Sequence, residues 1–360
     1  MANFPAKYLK RWWARQGLNL WPPPCQGGAL PLSYAPIRRR EPASNASSAR
    51  QASLAGDSGR HAGFNAGMDV PVVSTIAIQP PVVVLQPAHQ TIPVIFASPH
   101  SGRTYPDDFL AAARLDPLGL RRSEDTFVDE LFAAAPEHGA PLLAATFPRA
   151  YCDANREPWE LDPSMFADAL PPWVNTTSAR VGAGLGTIAR IVASGEAIYR
   201  GKLSFAEAEQ RIRSCWQPFH HALAGLIAAT RARFGICLLI DCHSMPSHGH
   251  TNRSGGKPAT FVLGDAHGTA CAPHTTRMVE ELLTELGHPV RRNDPYAGGY
   301  ITRHYGRPRE GVHALQIEIA RELYMDESRI ERLPDFAAVQ AAMTRFVAGL
   351  ARAAGTLAER

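Results

Sequence analysis

The sequence predicts an α/β fold in which one mixed, mostly parallel central sheet is flanked by helices in a single domain. Three observations carry this. Short apolar runs rich in β-branched residues recur along the chain. Stretches with helical periodicity separate them, the alternation that builds parallel sheets. Three of the runs also end in polar clusters, as strands do at the carboxyl edge of an open α/β sheet, where ligands bind.

Residues 1–67 are set apart from this pattern. They carry nine Lys/Arg against two acids, Glu41 and Asp57, a local charge of +7 in a chain of 360 residues with net charge +4. They contain Pro22-Pro23-Pro24, Arg38-Arg39-Arg40 and a Ser/Ala/Gly/Arg-rich stretch from Ala43 to Gly67. Such a composition buries too little apolar area to offset the entropy of ordering, so a disordered basic extension is expected. The stretch from Gly17 to Pro36 also resembles the peptide produced when a transfer-RNA gene region is translated. That predicts Met68 as the natural start and 68–360 as the functional domain.

From Val70 onward the texture is globular. Val82-Val83-Val84-Leu85 and Val94-Ile95-Phe96-Ala97 predict strands. Helices are expected over Pro106 to Arg114 and Ser123 to Ala135; in the second, Phe127, Leu131 and Ala134 or Ala135 share a face. A strand at Leu142 to Phe147 leads into Pro148-Arg149-Ala150-Tyr151-Cys152-Asp153-Ala154-Asn155-Arg156. A loop and short helix follow over Gly182 to Ala193. A long amphipathic helix is expected over Ser204 to Phe234, with Pro218 as a break point and Ala206, Ile212, Trp216 and Leu223 inward. Next come a strand over 236–244, a Gly/Ser loop over 247–256, a strand at Ala259 to Leu263 and a helix at Pro273 to Leu286. A strand at Leu315 to Ile319 and a helix at Asp335 to Ala354 complete the pattern.

Several function classes are disfavoured. No apolar run reaches about 18 residues, so no membrane-spanning helix is expected. The N-terminus lacks an apolar core followed by a small-residue cleavage site, which argues against a secretory signal. The six cysteines form no CxxC pair, which argues against a thiolate zinc site. Reduced, they pack as small hydrophobes, and a cytoplasmic protein is the simplest reading. Beyond residue 67 the charge is −3, with no basic stripe, so nucleic-acid binding is not expected.

The chemistry gathers at the strand ends. Gly235-Ile236-Cys237-Leu238-Leu239-Ile240 runs into Asp241-Cys242-His243-Ser244, and Val94-Ile95-Phe96-Ala97 runs into Ser98-Pro99-His100-Ser101-Gly102. His100 is either a hydrogen-bonded turn residue or a ligand facing a cleft. Strand alternation puts Asp241 on the side of His243 and sends Cys242 away from it. Glu318, between Ile317 and Ile319, needs a partner: an arginine or a metal site. Jointly, two histidines and a carboxylate match a catalytic zinc site, with a further carboxylate as general base for water.

A third metal ligand can come from Arg122-Ser123-Glu124-Asp125-Thr126-Phe127-Val128-Asp129, although Ser123 and Asp125 also read as helix caps. Asp153-Ala154-Asn155-Arg156, with Arg149 upstream, reads either as surface salt bridging or as a bidentate carboxylate clamp. Asn293 to Arg303 reads as a connector or as a mobile Gly-rich lid. Gly182-Ala183-Gly184-Leu185-Gly186-Thr187 mimics a dinucleotide fingerprint, but no strand precedes it.

Taken in order, these motifs resemble the N-formylglutamate amidohydrolase family. The resemblance rests on Pro99-His100-Ser101-Gly102, Ser123-Glu124-Asp125 with Val128-Asp129, and Asp153-Ala154-Asn155-Arg156. It continues through Gly186-Thr187-Ile188-Ala189-Arg190, Gly195-Glu196-Ala197-Ile198-Tyr199, Asp241-Cys242-His243-Ser244-Met245 and Gln316-Ile317-Glu318-Ile319, spanning about residues 75 to 350.

The resemblance implies a zinc carboxypeptidase-like fold and a zinc-dependent amidohydrolase that cleaves N-formyl-L-glutamate to formate and glutamate. It implies zinc held by His100, Asp125 and His243, with Glu318 moving the proton. A substrate carboxylate would be clamped by Asn155 and Arg156, helped by Arg149. Asp241 would orient a ligand from behind, and Tyr300 and Thr302 would belong to a closing loop. The partner implied is a small acidic N-acyl amino acid. Zinc carboxypeptidases take their carboxylate ligand three residues after the first histidine, which here is Arg103. Asp125 is preferred over Glu124 because the aspartate with Asp129 four residues on is the pattern the family shares. The alternatives are hydrolysis of another N-acyl amino acid or small peptide, or a non-catalytic relative that binds acidic ligands.

Overall fold

The computed structural model describes residue 78 and residues 80–247 and 259–357. The expected basic extension over 1–67, the expected start at Met68 and most of the Gly/Ser loop over 247–256 lie outside the described residues.

Among the described residues seven strands form the central sheet: β1 (Val82–Leu85), β2 (Val94–Ser98), β3 (Leu142–Ala145), β4 (Cys237–Met245), β5 (Phe261–Gly264), β6 (Val290–Arg292) and β7 (Val312–Ala320). Their order is β1-β3-β2-β4-β7-β5-β6. The inner four, β3, β2, β4 and β7, are mutually parallel; β1 runs antiparallel to β3 and β5 antiparallel to β7. β6 is parallel to β5. A separate two-stranded ribbon joins β8 (Met325–Asp326) and β9 (Glu331–Arg332). The mixed, mostly parallel sheet is the architecture expected.

The helices are α1 (Asp107–Ala112), α2 (Pro117–Arg121), α3 (Val128–Leu131), α4 (Ala179–Gly182), α5 (Phe205–Arg211), α6 (Gln217–Phe234), α7 (Pro273–Thr284), α8 (Tyr300–Tyr305) and α9 (Phe336–Ala353). They cover both faces of the sheet. Ile95, Ala97, Leu143, Cys237, Leu239 and Ala314 pack on one side with Ala208, Cys215, Phe219 and Leu223 of the α5–α6 arm. Val94, Phe96, Leu238, Ile240, Cys242, Leu315 and Ile317 pack on the other with Val279 and Leu283 of α7 and Met343 and Phe346 of α9. Period-two alternation divides each central strand between these layers.

Four local expectations are corrected. The helix expected over Ser123 to Ala135 shrinks to α3 and a 3-10 turn at Ala135–His138. Phe127 adopts φ 68°, a left-handed conformation costly for a bulky residue, and Pro136 enters the later turn. The helix expected within 182–193 is displaced upstream to α4, and glycines at positive φ (Gly184 and Gly195) keep the chain turning. In the long arm, a π-helical segment at Ile212–Trp216 precedes Pro218. The buried series runs through Ala208, Ile212, Cys215 and Phe219 at helical spacing, so Ala206 is exposed and Ala208 is buried in its place. Finally, 293–303 is not loop throughout, because α8 starts after Gly299.

Candidate metal centre

The centre lies where three central strands change from apolar to polar. On β4 the face that carries Cys237 and Leu239 continues with Asp241 and His243. On β7 the face that carries Ala314 continues with Gln316 and Glu318. The parallel register sets Asp241 beside Gln316 and His243 beside Glu318. Cys242, on the opposite parity, is buried in the other layer, and burial raises its thiol pKa.

His100 follows β2 in a turn where Gly102 is a steric requirement: a Cβ there would lie 2.1 Å from the Phe147 carbonyl oxygen. Asp125 comes from the loop before α3, where its N–H donates to His100 O at 3.0 Å. His100 Nδ1 lies 3.2 Å and His243 Nδ1 3.0 Å from the same oxygen, Asp125 Oδ2. All three residues are buried, and the ring centroids are 4.8 Å apart. Donor atoms about 2.0–2.1 Å from a tetrahedral zinc lie roughly 3.3 Å from one another, close to these separations. The group can therefore hold a metal ion.

Each imidazole is braced on its far nitrogen. His100 Nε2 lies 2.7 Å from Asp153 Oδ1 and His243 Nε2 lies 2.9 Å from Asp241 Oδ1. Thr302, fully buried on α8, donates to Asp241 Oδ2 at 3.3 Å. An Nε2–H donated to a carboxylate leaves the Nδ1 lone pair for a cation.

The electrostatics follow from this packing. Burial pushes Asp125 upward most strongly, but hydrogen bonds from His100 and His243 outweigh it and hold the carboxyl well below its usual value. Asp153 behaves alike: burial is outweighed by Arg149, His100 and Arg156. Burial disfavours the charged form of His243, yet Asp241 and Asp125 hold its pKa well above the ordinary imidazole range. Burial raises Glu318 to about 8, against the pull of His243. Gln316 Nε2 donates to Glu318 Oε1 at 2.8 Å, and Gly299 N–H donates to Gln316 Oε1 at 2.8 Å.

The other expected residues surround this core. Arg149 Nη2 donates to Asp153 Oδ2 at 2.8 Å. Arg156 donates through Nε to Leu185 O and through Nη1 to Asn155 O, both at 2.9 Å, and burial lowers its guanidinium to about 10. Asn155 Nδ2 lies 3.1 Å from His243 Nε2, and Asn155 Oδ1 accepts from Ile301 N–H at 2.8 Å. Tyr300 stacks on His304 at the margin, with its ring centroid 6.0 Å from that of Trp216. Glu124 is turned away, accepting from Tyr105, Arg121 and Thr126. Arg103 pairs with Asp129 and Glu130 near the surface.

Three further groups hold the site and carry little signal of their own in the sequence. Asp153 reads in the sequence only as part of a cluster, and an acid two residues before Asn155 is the available signal. Arg321 and Ser244 both donate to Asp125 Oδ1, and their adjacency to Glu318 and His243 was the only hint. Trp216 and His220 hold the 153–156 loop from the α5–α6 arm. Trp216 Nε1 donates to Arg156 O at 3.0 Å and His220 Nε2 lies 2.8 Å from Ala154 O. The sequence mark available there is Pro218, the break point of the long helix.

A family model described as N-formylglutamate amidohydrolase matches residues 92–325. Two curated relatives named N-formylglutamate deformylase, from Pseudomonas aeruginosa and Pseudomonas putida, are 32% and 29% identical over 240 residues. In each case the match covers 66% of this chain and 83% of the relative. The crystal structure of N-formylglutamate amidohydrolase from Ralstonia eutropha JMP134 is similar with 38% identity and a TM-score of 0.72, over 77% of this chain and 99% of that one.

Proposed function

The chain belongs to the N-formylglutamate amidohydrolase family, and on that premise we propose that it is a metal-dependent enzyme releasing formate from N-formyl-L-glutamate. The observation that carries this reading is the convergence of His100 Nδ1 and His243 Nδ1 on Asp125 Oδ2, with Glu318 beside His243.

His100, Asp125 and His243 would hold the metal, with zinc the cation that suits two imidazoles and one carboxylate. Bound there, it supplies Lewis-acid polarisation of the formyl carbonyl and lowers the pKa of water. Glu318, raised to about 8, is matched to proton transfer near neutrality. It accepts a proton from the attacking water as the new C–O bond forms. It returns that proton to the nitrogen as the C–N bond breaks; the second proton of the water passes from the formic acid to the freed amine, giving formate and the ammonium group of glutamate. Asp241 and Asp153 hold the two rings in one tautomer throughout.

Arg156 and Arg149 provide the charge that a substrate with two carboxylates requires, and Asn155 adds an amide hydrogen beside them. Both arginines are held on or near Asp153, whose carboxylate fixes their orientation. In this reading Tyr300 flanks the substrate at the edge of α8, and Thr302 steadies Asp241 from beneath. The proposed extent of the catalytic domain is 68–360, with the basic segment over 1–67 proposed as an extension to it. Cytoplasmic residence belongs to the same proposal and is supported by five free, buried cysteines among the described residues. No described helix is long and apolar enough to cross a membrane.

The test is metal analysis of the purified protein with a deacylation screen over N-formyl, N-acetyl and N-succinyl amino acids. One divalent ion per chain and formate release from N-formyl-L-glutamate are expected. A metal-free protein with full activity, or a Glu318→Gln variant as active as wild type, would sink the reading.

A further inference from the structure

The two oxygens of Asp125 face different groups. Oδ2 takes both imidazole contacts, His100 Nδ1 at 3.2 Å and His243 Nδ1 at 3.0 Å. Oδ1 accepts from Ser244 Oγ at 3.2 Å and from Arg321 Nη2 at 3.1 Å. Arg321 Nε donates to the same Ser244 hydroxyl at 3.1 Å, which closes a three-membered ring of hydrogen bonds. The roles are consistent: the serine oxygen accepts from the guanidinium and passes its own hydrogen to the carboxylate.

This ring is built rather than incidental. Ser244 is the residue after His243 on β4, and Arg321 is the residue after the end of β7, three beyond Glu318. The strands that deliver one imidazole and the base carboxylate therefore also carry or lead directly into the brace. Arg321 is buried; its Nη1 donates to Arg122 O at 3.5 Å and lies 3.7 Å from Glu327 Oε2. Its planar fork is held at both ends, so it cannot swing off Asp125 without leaving buried donors unpaired.

We propose that Arg321 and Ser244 are positioning residues that confine Asp125 to ligation through one oxygen, so that the centre favours a four-coordinate cation such as zinc over oxygen-seeking cations such as manganese. The physical reason is coordination number. A carboxylate free to rotate offers a second oxygen, and each added hard oxygen suits cations that take six ligands. With Oδ1 engaged by a guanidinium and a hydroxyl, only Oδ2 faces the imidazoles. The inference rests on the metal reading above, yet it concerns only how this chain shapes the donor set.

The experiment compares wild type with Arg321→Met, Arg321→Lys and Ser244→Ala in the full chain. Zinc and manganese affinities are read by chelator competition, and the visible spectrum is read after loading with Co(II). Wild type is expected to bind zinc in strong preference to manganese and to give the intense Co(II) bands of low coordination. Arg321→Met is expected to lose zinc affinity by about 10–100-fold, narrow the zinc–manganese preference and weaken the Co(II) bands. Arg321→Lys, with the charge but not the fork, is expected to fall between them, and Ser244→Ala to shift in the same direction by less.

A folded Arg321→Met with wild-type affinities and spectrum would overturn the proposal. If that variant does not fold, unchanged preference and spectrum in both Arg321→Lys and Ser244→Ala would overturn it equally. A wild-type protein that binds neither zinc nor Co(II) would instead overturn the metal reading on which it rests.

Discussion

His243 and Glu318 are register partners on the parallel β4–β7 ladder, so imidazole and carboxylate stand side by side at the carboxyl edge of the sheet. Both positions belong to central strands, and the ladder, not a loop, sets their separation. A slip of one residue in β7 would turn Glu318 to the opposite face and bring Ile317 or Ile319 to the site.

Glu318→Gln should lower deformylase activity by about 10²–10⁴-fold, the range of a lost general base. Stability should move the other way. Burial raises Glu318 from 4.5 to about 8. A carboxyl with a raised folded pKa contributes stability below its unfolded pKa, and that contribution is lost as pH rises towards 8. Metal-free wild type should therefore lose thermal midpoint relative to Glu318→Gln between pH 5 and pH 8. Melting curves of the chelated proteins check this, and parallel pH dependences would remove Glu318 as the cause.

Asp153→Asn should act on the acid side. Asp125 and Asp153 are held well below the usual carboxylate range despite burial, by the histidines and, for Asp153, by Arg149. Depressed folded pKa values contribute stability above the unfolded pKa near 3.8, lost as pH falls through the folded values. Asp153→Asn should flatten this acid limb and weaken metal binding by about 10–100-fold, because His100 Nε2 then faces a neutral amide in place of the carboxylate that raises the basicity of its ring. Acid melts and chelator competition measure the two effects separately; wild-type metal affinity would argue that Asp153 does not brace His100.

Trp216→Phe keeps the ring but removes the hydrogen bond to Arg156 O. One such bond is worth about 1 kcal/mol, roughly fivefold in an equilibrium constant. KM for N-formyl-L-glutamate is expected to rise by about that factor with kcat within about twofold. A lower kcat at constant KM would place the effect on the chemistry instead of on the clamp loop.

Gly102→Ala would drive its Cβ against the Phe147 carbonyl oxygen at 2.1 Å and the Thr146 carbonyl carbon at 2.6 Å. Neither atom belongs to a flexible side chain, so the turn that carries His100 must shift. A loss of about 1–3 kcal/mol is expected in urea unfolding, accompanied by weaker metal binding. A wild-type midpoint would show that the turn has room that the geometry denies it.

Much of the sheet was legible because alternation is a local signal. The parity that puts Asp241 and His243 with Leu239, and Glu318 with Gln316, can be read along each strand, and it correctly sent Cys242 into the opposite layer. Local signals failed where a segment's shape is set from outside it. The apolar spacing after Ser123 suggested a helix, but the loop there is held by Asp125 N–H on His100 O and by the left-handed Phe127. The Gly-rich run before Tyr300 reads locally as loop, yet a helix starts at Tyr300, where Ile301 N–H donates to Asn155 Oδ1 from a distant segment.

By itself the sequence determined the alternation of strands and helices, the family and the residue types gathered at the strand ends. The tertiary structure alone decided that Asp125 and not Glu124 meets both histidines, 25 and 118 residues away. It also decided that Asp153 backs His100 across 53 residues and that Arg321 holds Asp125 across 196. The division has a physical cause. Periodicity and turn chemistry act over a few residues, whereas a buried charge must be compensated by whichever distant group the fold brings to it.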